Sequence, residues 1–387
     1  MHWGAAGTAK AQSASTRTPG NTSGHNGPMD PDLLDDALRG GDVDGLLRLV
    51  DGACEHREWD ALERLRSRCA LAHETGHQLW PVASRAAYRL ALEAPGPWAG
   101  SVLVDGAGRF APGPLTEVAA QGHAWDDLGP HIPAGPHAVL AAHERVVRGE
   151  DLSDQGIDGP PVLELPLRLA AWEPEYALAT YRPDAADFPP PPAAGAGTFA
   201  AATLPDRSER AAHDSSNDGP NDDVVAALRD AARVWADGST GEVAAVTVAG
   251  GALDAIAALG TGPRRDTAAS TIRWARLEPA DAVAHLDWAG ASGGAHAPRP
   301  GAAAGRFAAW WTLGALGGLL DEWPPDPDAL GDCAAAMDWC TWQDPSTPAT
   351  GWRLNLAVVD ARRGRAWAVR AHDVATPEDA TPEDATT

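Results

Sequence analysis

The stretch "WRLNLAVVDARRGRAWAVRAHDV" (Trp352–Val374) decides the fold class. Apolar and polar residues alternate along "WRLNLAVVD" and again along "RAWAVRAHDV", which is the two-residue period of a β-strand with one buried face. The four residues "ARRG" between these runs have the length and the glycine of a hairpin loop. The sequence therefore predicts a β-hairpin, and with it a sheet in a chain that is otherwise rich in helical patterns.

The region around the hairpin, residues 222–375, mixes helical and strand patterns. "EVAAVTVAG" (242–250) and "STIRWARLEP" (270–279) alternate like strands. A small sheet packed with helices is therefore expected, of α+β or mixed α/β type. The predicted helices of this region are 222–236, 251–259, 279–289, 302–320 and 328–339.

The region from residue 29 to 149 has a helical pattern throughout. Asp30 and Pro31 form a helix start, and short Gly/Pro breaks separate the later segments. Short connections produce antiparallel neighbours, so this region is predicted to be an all-α helical bundle or a short solenoid. The predicted helices are 31–39, 42–55, 58–76, 81–94, 97–105, 114–121 and 134–148.

The remaining segments are predicted to be linkers or tails. Residues 150–221 form a transitional segment, in which "VLELPLRL" (162–169) suggests an edge strand and "FPPPPAAGAG" (188–197) begins a Pro-rich linker. Residues 206–223 have almost no apolar content and are expected to be disordered. Disorder is also expected for residues 1–28 and for the acidic tail 376–387, and the sequence does not decide between Met1 and Met29 as the native start.

The composition restricts the partners that the protein can bind. The formal net charge is -24 and Lys10 is the only lysine, so the chain repels phosphate backbones and anionic lipid surfaces. Nucleic-acid and membrane partners are therefore not expected. The four cysteines form no C-x-x-C pair and the N-terminus has no apolar signal region, which favours buried free thiols in the cytoplasm.

One short motif points to an enzyme. "LAHETGHQLWP" (71–81) contains the H-E-x-x-H pattern, in which two histidines four residues apart on a helix can bind one Zn²⁺ and the glutamate between them can activate a water. At this level the stretch resembles the zincin metallopeptidases. That resemblance implies His73 and His77 as zinc ligands and Glu74 as the general base.

Three features favour an accidental match over a zinc site. The apolar stripe of this helix runs through Leu62, Leu65 and Cys69 and leaves the histidines at its rim. Gly76 can end the helix before His77. No third ligand is evident: Glu93 lies at the far end of the next helix, and nothing in their spacing singles out one of the later histidines, which are His123, His131, His137 and His143.

Three other stretches carry weaker signals. "AHERVV" (142–147) repeats a His-Glu pair and is interpreted as an ordinary amphipathic helix. "GAAAGRFAAWW" (301–311) could bind an anion at a helix N-terminus, but it lacks the residues of a P-loop and is interpreted as a packed core helix. "DPDALGD" (326–332) has spaced carboxylates without the pattern of a calcium loop and is interpreted as a solvated helix start.

Longer stretches resemble an uncharacterised protein family of GC-rich, actinobacterial-type Gram-positive bacteria. These stretches are "QLWPVASRAAYRLALEAPGPWAG", "AHERVVRGEDL", "GRFAAWWTLGALGGLL" and "GWRLNLAVVDARRGRAWAVRAHDVA". The resemblance implies no activity. It implies that the helical region and the sheet region belong to one architecture.

The function expected first is that of a cytoplasmic binding protein, in which a helical scaffold recognises a protein partner without a cofactor. A zinc-dependent hydrolase using His73, Glu74 and His77 is the alternative. A small-ligand or enzymatic site in the C-terminal region is a third hypothesis, which the sequence does not localise.

Overall fold

The computed structural model describes residues 29–72, 76–157, 159–193, 198–205, 223–260, 271–344 and 351–375. Within these residues the chain is an α+β protein, as the sequence predicts. Helices dominate the first half and an antiparallel sheet dominates the second. The expected disorder of residues 1–28 and 376–387, and of nearly all of 206–223, falls outside the described residues.

Eight α-helices form what we call the helical half. The first begins as predicted, because the Asp30 side chain accepts a hydrogen bond from the Asp32 amide and Pro31 follows as the first helical residue. The helices are α1 (Pro31–Gly40), α2 (Val43–Glu55), α3 (Trp59–Leu71), α4 (Trp80–Glu93), α5 (Gly96–Ser101), α6 (Leu115–Gly122), α7 (Trp125–Leu128) and α8 (Pro136–Val146). Helix α4 lies at the centre and contacts α2, α3, α5 and α6, so the helices form a bundle.

The segment after α8 crosses from one half to the other. The edge strand predicted at 162–169 is wrong: the backbone there is irregular, and Leu163 and Glu164 have positive φ angles. A small hairpin follows, formed by β1 (Thr180–Arg182) and β2 (Ala185–Asp187). The segment contributes Leu152 and Tyr181 to the core of the helical half and Leu165 to the core beneath the sheet. The predicted domain boundaries after residues 149 and 221 therefore stay predictions.

The strands of the sheet half are β3 (Ala200–Thr203), β4 (Glu242–Ala249), β5 (Thr271–Leu277), β6 (Asp338–Gln343), β7 (Trp352–Asp360) and β8 (Arg365–Asp373). They form a six-stranded sheet in the order β3-β5-β6-β7-β8-β4, in which every neighbouring pair is antiparallel. The predicted hairpin is formed by β7 and β8, which are both interior strands of this sheet. The helices of this half are α9 (Asp223–Asp230), α10 (Arg233–Asp237), α11 (Ala252–Leu259), α12 (Pro279–Ala291), α13 (Ala302–Gly317) and α14 (Pro327–Ala336).

Helices pack on both faces of this sheet. Alternate residues of β7, such as Leu354 and Leu356, face a core shared with α9, α12 and α13. Ala357, which follows Leu356 in β7, faces the opposite side of the sheet, where Ile256 of α11 covers it. Helix α13 is apolar on most of its surface, with Arg306 as its one charged residue, because it is buried among α12, α9, α14 and α8 of the helical half.

Glycines let α12 and α13 approach each other closely. A Cβ atom on Gly290 would lie 2.6 Å from the Ala308 Cβ and 3.2 Å from the Gly305 Cα. Nothing lies within 4 Å of the same position on Gly52, which is also inside a helix. Gly290 is therefore required by the close approach of the two helices, whereas no close contact requires a glycine at position 52.

This difference predicts opposite effects for the same substitution. Gly290→Ala should lower the free energy of unfolding by about 1–3 kcal/mol because the added methyl forces the helices apart. Gly52→Ala should raise it by up to about 1 kcal/mol, since alanine is the better helix former. Urea unfolding followed by tryptophan fluorescence measures both, and a stabilised Gly290→Ala protein would contradict the close crossing.

Candidate functional site

The N-terminus of α13 is held by two carboxylates from the helical half. Glu117 of α6 accepts a hydrogen bond from the Ala302 amide at 3.3 Å, and Glu144 of α8 accepts one from the Ala303 amide at 2.9 Å. The first amides of a helix have no partner within the helix and attract negative charge. The anion that this glycine-rich helix start binds is thus supplied by the protein itself.

Gly301 makes this approach possible. Its φ is +104°, and a Cβ there would lie 2.7 Å from the Glu144 Oε1 and 3.0 Å from the Pro114 Cγ. Only glycine combines that backbone angle with the absence of a side chain. The predicted weak signals "AHERVV" and "GAAAGRFAAWW" therefore meet in space at Gly301.

Three buried arginine–glutamate pairs surround this contact, and we call them the ion-pair layer. Arg299 binds both oxygens of Glu117, at 2.9 and 3.0 Å. Arg306 binds both oxygens of Glu173, at 2.7 and 2.9 Å. Each of these side chains is less than a tenth exposed. The third pair is Arg148 with Glu144, at 2.8 Å.

Further hydrogen bonds saturate the layer. Arg306 also donates to the carbonyl oxygens of Pro166 and Arg168, both at 2.9 Å, so the crossing segment is fixed to α13. The Tyr181 hydroxyl donates to Glu117 at 2.6 Å, and the Tyr176 hydroxyl donates to Glu173. Buried charges are stable only when such partners are present.

The environment changes the proton affinity of several groups. Burial, together with the charge of Glu117, raises the pKa of Glu144 to about 7, although Arg148 opposes the shift. Burial alone would raise the pKa of Glu173, but its hydrogen bonds from Arg306 lower it on balance. Burial, helped by the charge of Arg306, lowers the pKa of His143 to about 4, so this histidine is neutral at pH 7.

The layer is closed to substrates. Every member is inside the protein and most of its polar atoms are already bonded to one another. A catalytic acid or base has to reach the reacting group, so this arrangement fits a joint between the two halves better than a site of chemistry.

The structure describes only part of the "HETGH" motif. His73 and Glu74 lie outside the described residues. Helix α3 ends at Leu71, and His77 lies in a non-helical stretch before α4, beside Gly41. Gly76 has a positive φ of 87°. The zinc site therefore stays a prediction.

The other histidines considered as a third ligand lie in separate environments. His123 contacts Asp127 at 2.6 Å, and His137 contacts Asp105 at 2.9 Å. His143 is buried, and Glu93 binds Arg89. Within the described part of the chain, no group of three His, Cys, Asp or Glu side chains is placed to hold a metal ion.

The four cysteines are free, as predicted, and three of them are buried as expected, whereas Cys333 is only half-buried. Burial raises the pKa of the Cys54, Cys69 and Cys340 thiols to about 12. A thiol that stays protonated at pH 7 is a poor nucleophile. "DPDALGD" also behaves as predicted, since Asp326 accepts hydrogen bonds from the amides of Asp328 and Ala329 at the start of α14.

Open surface features lie on the helical half. One cleft, of about 540 Å³, lies between α2, α3 and the end of α4. A second, of about 450 Å³, lies beside α7 and α8. The first is lined by Cys54, Glu55, Arg57, Trp59, Arg89, Glu93 and Pro95, and the second by residues that include Trp125, Pro130, Ile132, Ala138 and Gln155.

These features define a helical bundle joined to an antiparallel α+β half through buried ion pairs. The chain belongs to a family of unknown function, DUF6183, whose model matches residues 44–375. No curated protein and no solved structure matches the chain. None of the helices in the described ranges is both long enough and apolar enough to cross a bilayer.

The ion-pair layer predicts a large cost for removing one charge. Glu117→Gln keeps the size of the side chain but leaves the Arg299 guanidinium buried without its counter-ion. We expect the free energy of unfolding to fall by about 3–5 kcal/mol in urea titrations. Asp36→Asn, which breaks the exposed pair with Arg39 on α1, should change it by no more than about 0.5 kcal/mol.

Metal analysis tests the zinc hypothesis. Purified protein is expected to carry no stoichiometric zinc, because the described residues supply no third ligand. One zinc per chain in the wild type, absent from a His73→Ala variant, would establish the metal site and contradict this expectation.

Proposed function

We propose that the protein is a binding protein whose helical half recognises a protein partner. One observation carries the proposal. Among the described residues, eight large apolar side chains are exposed, and seven of them precede residue 189. Both clefts also lie there. Exposed apolar side chains that gather on one part of a surface are typical of interaction sites.

The sheet half supports this role as a rigid base. Helices cover both faces of its sheet, and Val374 is its one exposed large apolar side chain within the described ranges. The three pairs of the ion-pair layer fix this base to the crossing segment and the bundle. A surface held by such a base is preorganised, which lowers the entropic cost of binding.

One exposed surface centres on Phe110 and Phe188, which are 56% and 47% exposed. The Phe110 amide donates to the Ser84 hydroxyl of α4 at 2.9 Å, so the loop that carries it is anchored. Phe188 packs edge-on against Tyr181, with ring centroids 6.3 Å apart. Gly113 packs against the Tyr181 hydroxyl and is three residues from Phe110, so the loop and Phe188 are neighbours on the surface.

A second exposed surface flanks the "HETGH" motif. Leu71, at the end of α3, is 57% exposed, and Trp80, at the start of α4, is 40% exposed. Aromatic and aliphatic side chains of this kind are the usual anchors of protein interfaces. The motif that suggests an enzyme is thus bordered by side chains that favour recognition.

The experiment compares charged substitutions in the two halves. Tagged full-length protein would be used to capture partners from extracts of its source cells, with quantitative mass spectrometry. We expect a protein that is enriched with the wild type and lost with Phe110→Glu or Leu71→Glu, because an exposed apolar side chain can be replaced without unfolding the bundle.

Val374→Glu is the matched control, since it places the same charge on the exposed apolar residue of the sheet half. It should capture the partner as the wild type does. Identical capture by all four proteins, or loss only with Val374→Glu, would contradict a binding surface on the helical half.

A further inference from the structure

Asp287 of α12 is an unpaired acid in the interior. It is 2% exposed, and its Oδ1 has no hydrogen-bond partner within the described residues. The side chain lies against the backbone of Gly305, at the crossing of α12 and α13. A buried carboxylate with neither a cation nor a hydrogen bond is unstable, so the group has to be neutral or has to acquire a partner.

The charges around Asp287 do not supply a partner. The ion-pair layer and Asp287 together comprise four buried carboxyl groups, which are Glu117, Glu144, Glu173 and Asp287, and three buried guanidinium groups, which are Arg148, Arg299 and Arg306. Each glutamate has its own arginine. With all seven groups charged, this cluster would carry one uncompensated negative charge, and it would be on Asp287.

The groups that face Asp287 come from every neighbouring element. Arg299, before α13, is the one cation among its strongest neighbours, and Glu117 already occupies it. Glu144 of α8, Glu117 of α6 and Glu173 of the crossing segment repel a charge on Asp287. Tyr176 also lies within electrostatic range of Asp287, but its hydroxyl donates its hydrogen bond to Glu173.

We propose that Asp287 is a proton-binding site, whose carboxyl group is the neutral acid in the folded protein at pH 7 and loses its proton when the interior opens. Burial, together with the charges of Glu144, Glu117 and Glu173, raises the pKa of this carboxyl well above its ordinary value, against the opposing effect of Arg299.

This site makes the joint between the halves sensitive to pH. An exposed aspartic acid loses its proton above pH of about 4, so from there upward the folded state binds one proton more than the unfolded state. The stability that this bound proton contributes to the folded state is fully present below pH of about 4 and is lost as the pH rises towards the pKa of Asp287 in the folded protein. Each pH unit in this window shifts the equilibrium about tenfold towards the opened protein. Glu144 adds a second proton of the same sign, but only below pH of about 7.

The pH range of 8 to 9 isolates Asp287, because Glu144 is almost fully ionised there in both the folded and the unfolded state. The unfolding equilibrium constant would be measured in urea across this range for the wild type, for Asp287→Asn and for Asp281→Asn, a half-buried residue near the start of the same helix. Comparing variants cancels the titration of the cysteines.

The ratio of the wild-type unfolding equilibrium constant to that of Asp287→Asn should grow about tenfold with each pH unit. The reason is that asparagine resembles the neutral acid and cannot ionise. Asp281→Asn should follow the wild type. An unchanged pH dependence in Asp287→Asn would overturn the proposal.

Carbon-13 NMR of aspartate-labelled wild-type protein gives a test that does not require the variant to fold. One aspartate carboxyl carbon should keep the chemical shift of a protonated acid from pH 6 to 8. If every aspartate carboxyl carbon has the shift of an ionised group at pH 7, Asp287 does not hold a proton and the proposal is wrong.

Discussion

The structure depends on the capture of the α13 N-terminus by carboxylates from the helical half. The amides of Ala302 and Ala303 point at Glu117 and Glu144, which lie 185 and 159 residues earlier in the chain. Because α13 packs against α12 and α9, and these two helices pack against the sheet, fixing its first turn fixes the sheet half relative to the bundle. An interaction of the kind that binds phosphate in other proteins here closes the protein on itself.

Close packing and buried charge require each other at this joint. Gly301 lets Glu144 approach the helix, and Gly305 leaves space beside α13 for Asp287. A burial this tight removes water, and each charge must then find its partner within the protein. Three arginines satisfy three glutamates, and the acid that remains is the one that the chain keeps neutral. Burial of a charge costs nearly as much free energy as its ion pair returns, whereas loss of one partner leaves the other charge buried and uncompensated.

Much of the fold follows from local patterns, and the joint does not. The hairpin and most helices are predicted because their periodicity is written in consecutive residues. Strand β6 was missed: "DWCTWQ" follows a helical pattern directly, and the predicted helix 328–339 ran into it. The ion-pair layer was missed because Arg299 and Glu117 are 182 residues apart. Its only local signal is a charge in an apolar setting, such as Arg306 in "GAAAGRFAAWW". The cleft-lining and exposed residues were missed for the same reason, since exposure depends on how distant elements pack.

The closed joint bears on what kind of protein this is. The carboxyl groups with the most perturbed proton affinities, Glu144 and Asp287, are the usual markers of a catalytic centre. Here they are inaccessible, and the arginines beside them are saturated by protein oxygens. Burial at the joint between the two halves therefore accounts for the shifted pKa values of Glu144 and Asp287, and these shifts give no support to an enzymatic function. The recognition role proposed for the helical half rests instead on side chains that the packing leaves exposed, such as Phe110 and Leu71, because an apolar surface is removed from water when it contacts another molecule.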